Sequence, residues 1–153
     1  MEQMPYLDRV KIQTEILLPL YKRLRDELGK DKANAFLRGA VHDYATALGK
    51  DIKTNVPGTG LQKVRTMMPM FAAGNALDVE PLADNEREYS LNVRGCRYAD
   101  YFRSIGEPEF GAMITCDMDP PMMDAIGTDV RMDRTQTIGK GASHCDFRWR
   151  AEG

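Results

Sequence analysis

The sequence predicts an α+β fold, an N-terminal helical hairpin and further helices packed on a small antiparallel sheet. Two observations carry this reading. Apolar residues recur every three or four positions from Val10 to about Ala73, and from Glu86 onward the period falls to two. Helices therefore come first and strands later, the segregated order of an α+β domain.

The first helix is expected over Val10–Leu28, with Val10, Leu17, Tyr21, Leu24 and Leu28 on one face. Pro19 removes a backbone donor and predicts a kink. Gly29 stops this helix and Asp31 is placed to cap the next one. In that second helix Ala33, Phe36, Leu37, Ala40, Val41, Tyr44, Ala45 and Leu48 repeat at helical spacing until Gly49 closes it. The two helices are expected to pack antiparallel.

Asn55 to Gly60 reads as a turn, followed by a third helix from Leu61 to about Ala73 with Leu61, Val64, Met68 and Phe71 on one side. Gly58 and Gly60 do not make a phosphate loop, because no strand precedes them and the third glycine is missing. Tyr89, Leu91 and Val93 alternate with polar residues and predict a half-buried strand ending at Gly95. A short helix follows over Tyr98–Ile105. Pro108 and Pro120 suit the first turns of two more, one running towards Cys116 and one ending near Ile126. Two strands, Val130–Ile138 and His144–Arg150, close the chain as a hairpin through the loop Gly139–Ser143. Residues 1–153 read as a single domain, helical over about 6–75 and sheet-containing over about 86–151.

Composition narrows the function. Of the 153 residues, 42% are hydrophobic and 29% charged, and the formal net charge is -2. That is an ordinary globular balance with no electrostatic grip on nucleic acid or an anionic membrane. No apolar run approaches the roughly 20 residues that span a bilayer. Met1 to Arg9 lacks the layout of a secretory leader, so the cytoplasm is the expected compartment. There the three cysteines, Cys96, Cys116 and Cys145, are not expected to form structural disulfides. Free cysteines are most often small buried apolar residues, but their clustering late in the chain keeps a shared site open.

Polar residues that intrude on apolar faces are the most informative. In the strand from Val130, Arg134 and Gln136 share a face with Val130, Met132 and Ile138 and so point inward. A buried guanidinium needs a carboxylate, either internal (Asp100 or Glu109, for example) or on a bound ligand. In the last strand Cys145, Phe147 and Trp149 share one face and His144, Asp146 and Arg148 the other. Adjacency alone therefore does not pair Cys145 with His144. Cys116 sits where a helix is expected to end, followed by Asp117 and by Asp119. Asp119, just before Pro120, reads as a helix cap. His42 reads as solvated, and the ten methionines as core or a dimer surface.

Two stretches carry a family resemblance. Gly95-Cys96-Arg97-Tyr98-Ala99-Asp100-Tyr101-Phe102 with Gly106-Glu107-Pro108-Glu109 is one. Arg134-Thr135-Gln136-Thr137-Ile138 with Gly141-Ala142-Ser143-His144-Cys145-Asp146-Phe147-Arg148 is the other. Together with Ile12-Gln13 and Leu28-Gly29 followed by Ala33-Asn34 they resemble the L-2-amino-thiazoline-4-carboxylic acid hydrolase family over nearly the whole chain, most weakly between about Asn55 and Asp84. The resemblance implies a hydrolase that opens a small nitrogen-containing ring, a cyclic amidine or thioimidate, by thiolate or activated-water attack. It implies Cys116 or Cys145 as nucleophile, with Asp100, Asp117 or His144 moving protons. Arg134, Gln136, Cys96 and Asp100 would bind the substrate. No cofactor is expected.

Two alternatives stand beside it. Cys96, Cys116, Cys145 and His144 could ligate zinc, although their spacing is not that of a zinc ribbon. The ending Gly-Ala-Ser-His-Cys-Asp-Phe is also distantly similar to 4-vinyl-reductase-type domains, which bind small molecules without turnover. Either way the expected partner is a small molecule, with no nucleic acid and no membrane, and self-association is left open.

Overall fold

The computed structural model describes residues 3–153. Met1 and Glu2, the start of the stretch read for a leader, lie outside the described residues. Within them the chain forms six α-helices and one four-stranded antiparallel sheet, in the order β1-β2-β4-β3. The fold class is α+β, as the change of period predicts.

Helix α1, Tyr6–Leu28, continues through Pro19 and turns into α2, Lys30–Asn55, by way of Gly29 alone. Gly29 sits at φ 85°, a left-handed value that favours glycine. So abrupt a turn leaves no place for the expected Asp31 cap, and the helix begins at Lys30 without one. The hairpin is buried along Leu7, Val10, Thr14 and Tyr21 on one side and Ala33, Leu37, Val41 and Ala45 on the other. Phe36 and Tyr44 share the helical repeat but lie on its outer edge, 61% and 41% exposed.

Gly49 does not end α2. It lies inside the helix because α6, Asp119–Ile126, crosses there, and a methyl group at Gly49 would run into the Met122 carbonyl and the Ala125 Cβ. Helix α3, Gly60–Ala72, opens on a capping box in which the Thr59 hydroxyl accepts from the Gln62 N–H and the Gln62 side chain accepts from the Thr59 N–H.

Strand β1, Leu77–Asp84, has no counterpart in the sequence reading. It is an edge strand with shifts of register on both sides of the stretch from Val79 to Pro81, so its apolar residues do not alternate. Strand β2, Glu88–Cys96, leads directly into α4, Arg97–Ser104, and α5, Pro108–Ile114, follows. Strand β4, Cys145–Ala151, lies between β2 and β3 and pairs Cys145 with Val93, Phe147 with Leu91 and Trp149 with Tyr89.

Strand β3 covers only Val130–Asp133, not the expected Val130–Ile138. Past Asp133 the ladder gives way to a side chain. The Asp146 carboxylate accepts from the Thr135 N–H at 2.8 Å, the Gln136 N–H at 3.0 Å and the Thr135 hydroxyl. These bonds hold residues 134–137 beside the sheet without extending it. Residues 138–140 then form a single 3₁₀ turn.

Two glycines of α2 test the packing at α6. Gly49→Ala is expected to lower stability by about 1–3 kcal/mol through forced displacement of Met122. Gly39→Ala, in open space on the same helix, is expected to raise it by about 0.5–1 kcal/mol through helix propensity. Urea unfolding of the two variants reads the opposite signs.

Candidate active site

The inner face of the sheet and the surrounding helices enclose a cavity of about 90 Å³, walled mostly by apolar side chains. At 10–15 Å³ per water-sized sphere this holds roughly six to nine such spheres, the scale of a single-ring molecule. The three thiols of Cys96, Cys116 and Cys145 all line it, as do Arg134, Asp119 and Trp149. Residues far apart in sequence are thus brought to one place.

Strand β4 supplies an aromatic wall. Phe147 stacks on Trp149 at 5.0 Å between ring centroids, and Tyr89 stacks on the same indole at 5.5 Å. The Arg134 guanidinium stands 5.6 Å from the Phe147 centroid, a cation–π contact in a largely dry setting. Arg134 is turned inward, with its side chain 9% exposed. Its Nη1 donates to Asp119 Oδ2 at 2.6 Å and to the Cys116 carbonyl at 3.1 Å. Among the described residues its Nε and Nη2 make no hydrogen bond, and neither does Asp119 Oδ1. The internal partner of Arg134 is therefore Asp119, in place of the Asp100 or Glu109 considered from sequence. Glu109 pairs with Lys30 at 2.8 Å.

Asp119 does not cap α6; it makes no capping hydrogen bond. Burial pushes its carboxyl up to about 6 against the opposing pull of Arg134. Although 23% of the side chain's surface is still accessible, the protein packed around it disfavours the charge. This is a carboxyl poised to exchange a proton near neutral pH.

The thiols are not equivalent. Cys145 is buried, its Sγ accepts from the Ile138 N–H at 3.2 Å, and burial pushes its thiol up to about 11. Burial raises Cys96 as well. Cys116 is half-buried. Its Sγ lies so close to Gly139 that a Cβ there would come within 2.5 Å of it. Gly139, passed over in the sequence as part of a loop, makes room for that sulfur.

The remaining candidates point elsewhere. Asp117 faces outward to Lys140 at 2.6 Å and Arg38 at 3.9 Å. The His144 Nδ1 pairs with the Ser143 hydroxyl at 2.8 Å, and Gln136 donates to the His144 carbonyl at 2.9 Å. Neither His144 nor Gln136 is part of the cavity wall. Asp100 is exposed on α4. Among the described residues no three His, Cys, Asp or Glu side chains gather closely enough to hold a metal ion. The zinc set of Cys96, Cys116, Cys145 and His144 is therefore not assembled. No described helix is long and apolar enough to cross a membrane.

An apolar hollow with a few convergent polar groups is the architecture of a small-molecule site. Its class follows from the sequence pattern of the L-2-amino-thiazoline-4-carboxylic acid hydrolase family, which matches residues 9–149. The chain belongs to that family, and the class is that of a hydrolase. No curated protein matches the chain. Among solved structures, the phenol-responsive sensory domain of the transcription activator PoxR, bound to phenol, is similar in fold. Its TM-score is 0.51 at 18% identity, over 90% of this chain and 74% of that one. Subunit 3 of a trafficking protein particle complex from Naegleria fowleri, covalently bound to palmitic acid, has a TM-score of 0.49 at 14% identity, over 94% and 97%.

The burial of the thiols sets their reactivity. At pH 8 Cys116 is expected to be alkylated by iodoacetamide at least about tenfold faster than Cys145, since only the thiolate reacts and burial suppresses it at Cys145. Mass spectrometry of timed digests measures both rates; equal rates would remove the distinction.

Proposed function

We propose that this protein hydrolyses a small nitrogen-containing ring, a cyclic amidine or thioimidate such as 2-amino-thiazoline-4-carboxylate. The observation that carries the reading is the part-buried Arg134–Asp119 pair beside Cys116 in the wall of a ring-sized apolar cavity. The Nε and Nη2 donors of Arg134 are left for a substrate carboxylate, which a guanidinium binds with two parallel hydrogen bonds.

Chemistry then falls to Asp119 and Cys116. The ring carbon between sulfur and nitrogen is electrophilic once the ring nitrogen is protonated. Asp119, as carboxylate, takes a proton from water while the water oxygen bonds to that carbon. The tetrahedral adduct collapses as its hydroxyl becomes a carbonyl and the carbon–sulfur bond breaks. The hydroxyl proton passes to solvent, replacing the one the ring nitrogen took up, and the sulfur leaves with the proton that Asp119 returns. The product is an open-chain urea bearing a free thiol. In the covalent variant the Cys116 thiol gives its proton to Asp119 and adds to that carbon, and the ring carbon–sulfur bond breaks as its sulfur takes the proton back. Water then adds to the Cys116-bound carbon and expels the Cys116 thiol to give the same urea. Cys145 and Cys96 suit neither role as well, because burial holds them as thiols.

Turnover of 2-amino-thiazoline-4-carboxylate and related rings, followed by release of free thiol, tests the reading. Tight binding of such rings without turnover would instead make the protein a binding module. Asp119 acts when ionised, so kcat/KM is expected to climb with pH and level off above about 6, the value for the free enzyme. Asp119→Asn is expected to lower the plateau by about 10²–10⁴-fold and to erase that inflection. An unchanged profile in a folded variant would rule Asp119 out as the base. Cys116→Ser separates the two routes: activity lost by about 10³-fold or more fits covalent attack, and activity kept within about tenfold fits direct attack by water.

A further inference from the structure

The chain holds one tryptophan, and it lines the cavity. Trp149 is 1% exposed, and its Nε1 is the one buried side-chain donor without a hydrogen-bond partner among the described residues. The indole N–H can only donate. Leaving it unpaired in a dry interior forfeits the bond it would make with water, and natural proteins leave few such groups without a purpose. Packing alone does not ask for it: phenylalanine would supply the same stacking on Tyr89 and Phe147 at no polar cost. The neighbouring Tyr98, by contrast, has its hydroxyl satisfied by the Phe71 carbonyl at 2.8 Å.

The position of the indole relative to Arg134 gives the orphan donor a use. Phe147 touches both, stacking on Trp149 at 5.0 Å and carrying the guanidinium 5.6 Å from its centroid. Arg134 and Trp149 are thus both neighbours of one aromatic ring in the wall of the same cavity. The walls are rich in methionine, including Met67, Met122 and Met132, and unbranched thioether side chains turn aside at little cost to admit a single-ring molecule.

We propose that Trp149 is a specificity-determining residue: its indole N–H donates to a neutral acceptor on the substrate ring, across the ring from the carboxylate held by Arg134. The site thus selects ring acids that carry such an acceptor and discriminates against rings without one. This rests on the proposed placement of a substrate carboxylate at Arg134, but not on any turnover. In 2-amino-thiazoline-4-carboxylate protonated on its ring nitrogen, the acceptor beside the reacting carbon is the ring sulfur. A bond to Trp149 would then orient that carbon as well as recognise it.

Two non-hydrolysable acids that differ by one ring carbonyl test it, 3-oxocyclopentanecarboxylate and cyclopentanecarboxylate. With a single tryptophan, the ¹H–¹⁵N spectrum carries one indole resonance. It is expected to move downfield on saturation with the oxo acid and to stay in place with the other. Calorimetry is expected to give at least about tenfold tighter binding of the oxo acid, the scale set by satisfying a buried donor. Trp149→Phe, which keeps the stack, is expected to bring the two affinities within twofold while Arg134-dependent binding persists. Equal affinities in the wild type, an unmoved indole resonance, a preference that survives in Trp149→Phe, or binding of neither acid would each overturn the proposal. Loss of turnover with the preference intact would instead count against the hydrolase reading alone.

Discussion

A guanidinium held inside an apolar cavity is the constraint around which this fold is arranged. Arg134 is 9% exposed, and an unpaired charge there would be unaffordable, several kcal/mol by general experience with buried ions. Asp119 meets the charge, and that fixes where α6 begins relative to the sheet. The Cys116 carbonyl takes a second bond from the same nitrogen, which fixes the turn before α6. Arg134 is itself aimed by its neighbours: Asp146 on β4 pins the backbone of Thr135 and Gln136 through two N–H bonds. Burial alone would raise the Asp146 carboxyl, yet the hydrogen bonds from Thr135 and Gln136 outweigh it and bring it below the ordinary range. One charge thus ties together the start of α6, the segment after β3, and β4.

Much of this was legible in the sequence, for reasons that differ from element to element. The inward faces of β2 and β4 follow from strict alternation, so Cys145, Phe147 and Trp149 were placed correctly on one wall. Arg134 was read as inward from the same rule, although the ladder ends one residue before it. Its direction survives because Asp146 keeps that segment extended in place of the ladder. Asp119 was misread as a cap because an aspartate before proline looks the same whether it bonds a helix N–H or a distant guanidinium. The partner lies fifteen positions on, beyond the reach of local pattern. Strand β1 escaped because an edge strand with proline and two register shifts has no period to detect. Gly49 reads as a helix stop and Gly139 as part of a loop, whereas each marks a close approach: of α6 to α2, and of the Cys116 sulfur to a turn. Absence of a side chain carries no sequence signal that separates these uses.

The same burial that makes the site also ranks its groups. Burial in an apolar wall disfavours the charged form of a thiol or carboxyl, so Cys145 and Asp119 both move up, but with opposite consequences. Lifted to about 11, Cys145 holds its proton at neutral pH and packs as part of the wall. Lifted to about 6, Asp119 is brought to where a carboxyl both gives and takes a proton readily. Tyr98 is likewise raised by burial, and with its hydroxyl bound to Phe71 it is a fixed neutral wall. A single physical cause thus moves Asp119 toward neutrality and Cys145 and Tyr98 away from it.

Under the proposed reading, substrate and acid would also be coupled through Arg134. The attraction of the guanidinium is what keeps Asp119 from rising further, and a substrate carboxylate on Nε and Nη2 would share that attraction and add a like charge nearby. Both effects favour the protonated form, so Asp119 in the complex would titrate above its value in the empty site, closer to neutrality. A base of that strength still ionises readily and holds its proton firmly enough to return it to the leaving sulfur. Binding by Arg134 and proton transfer by Asp119 are then two expressions of one ion pair, and a substrate lacking the carboxylate would lose both.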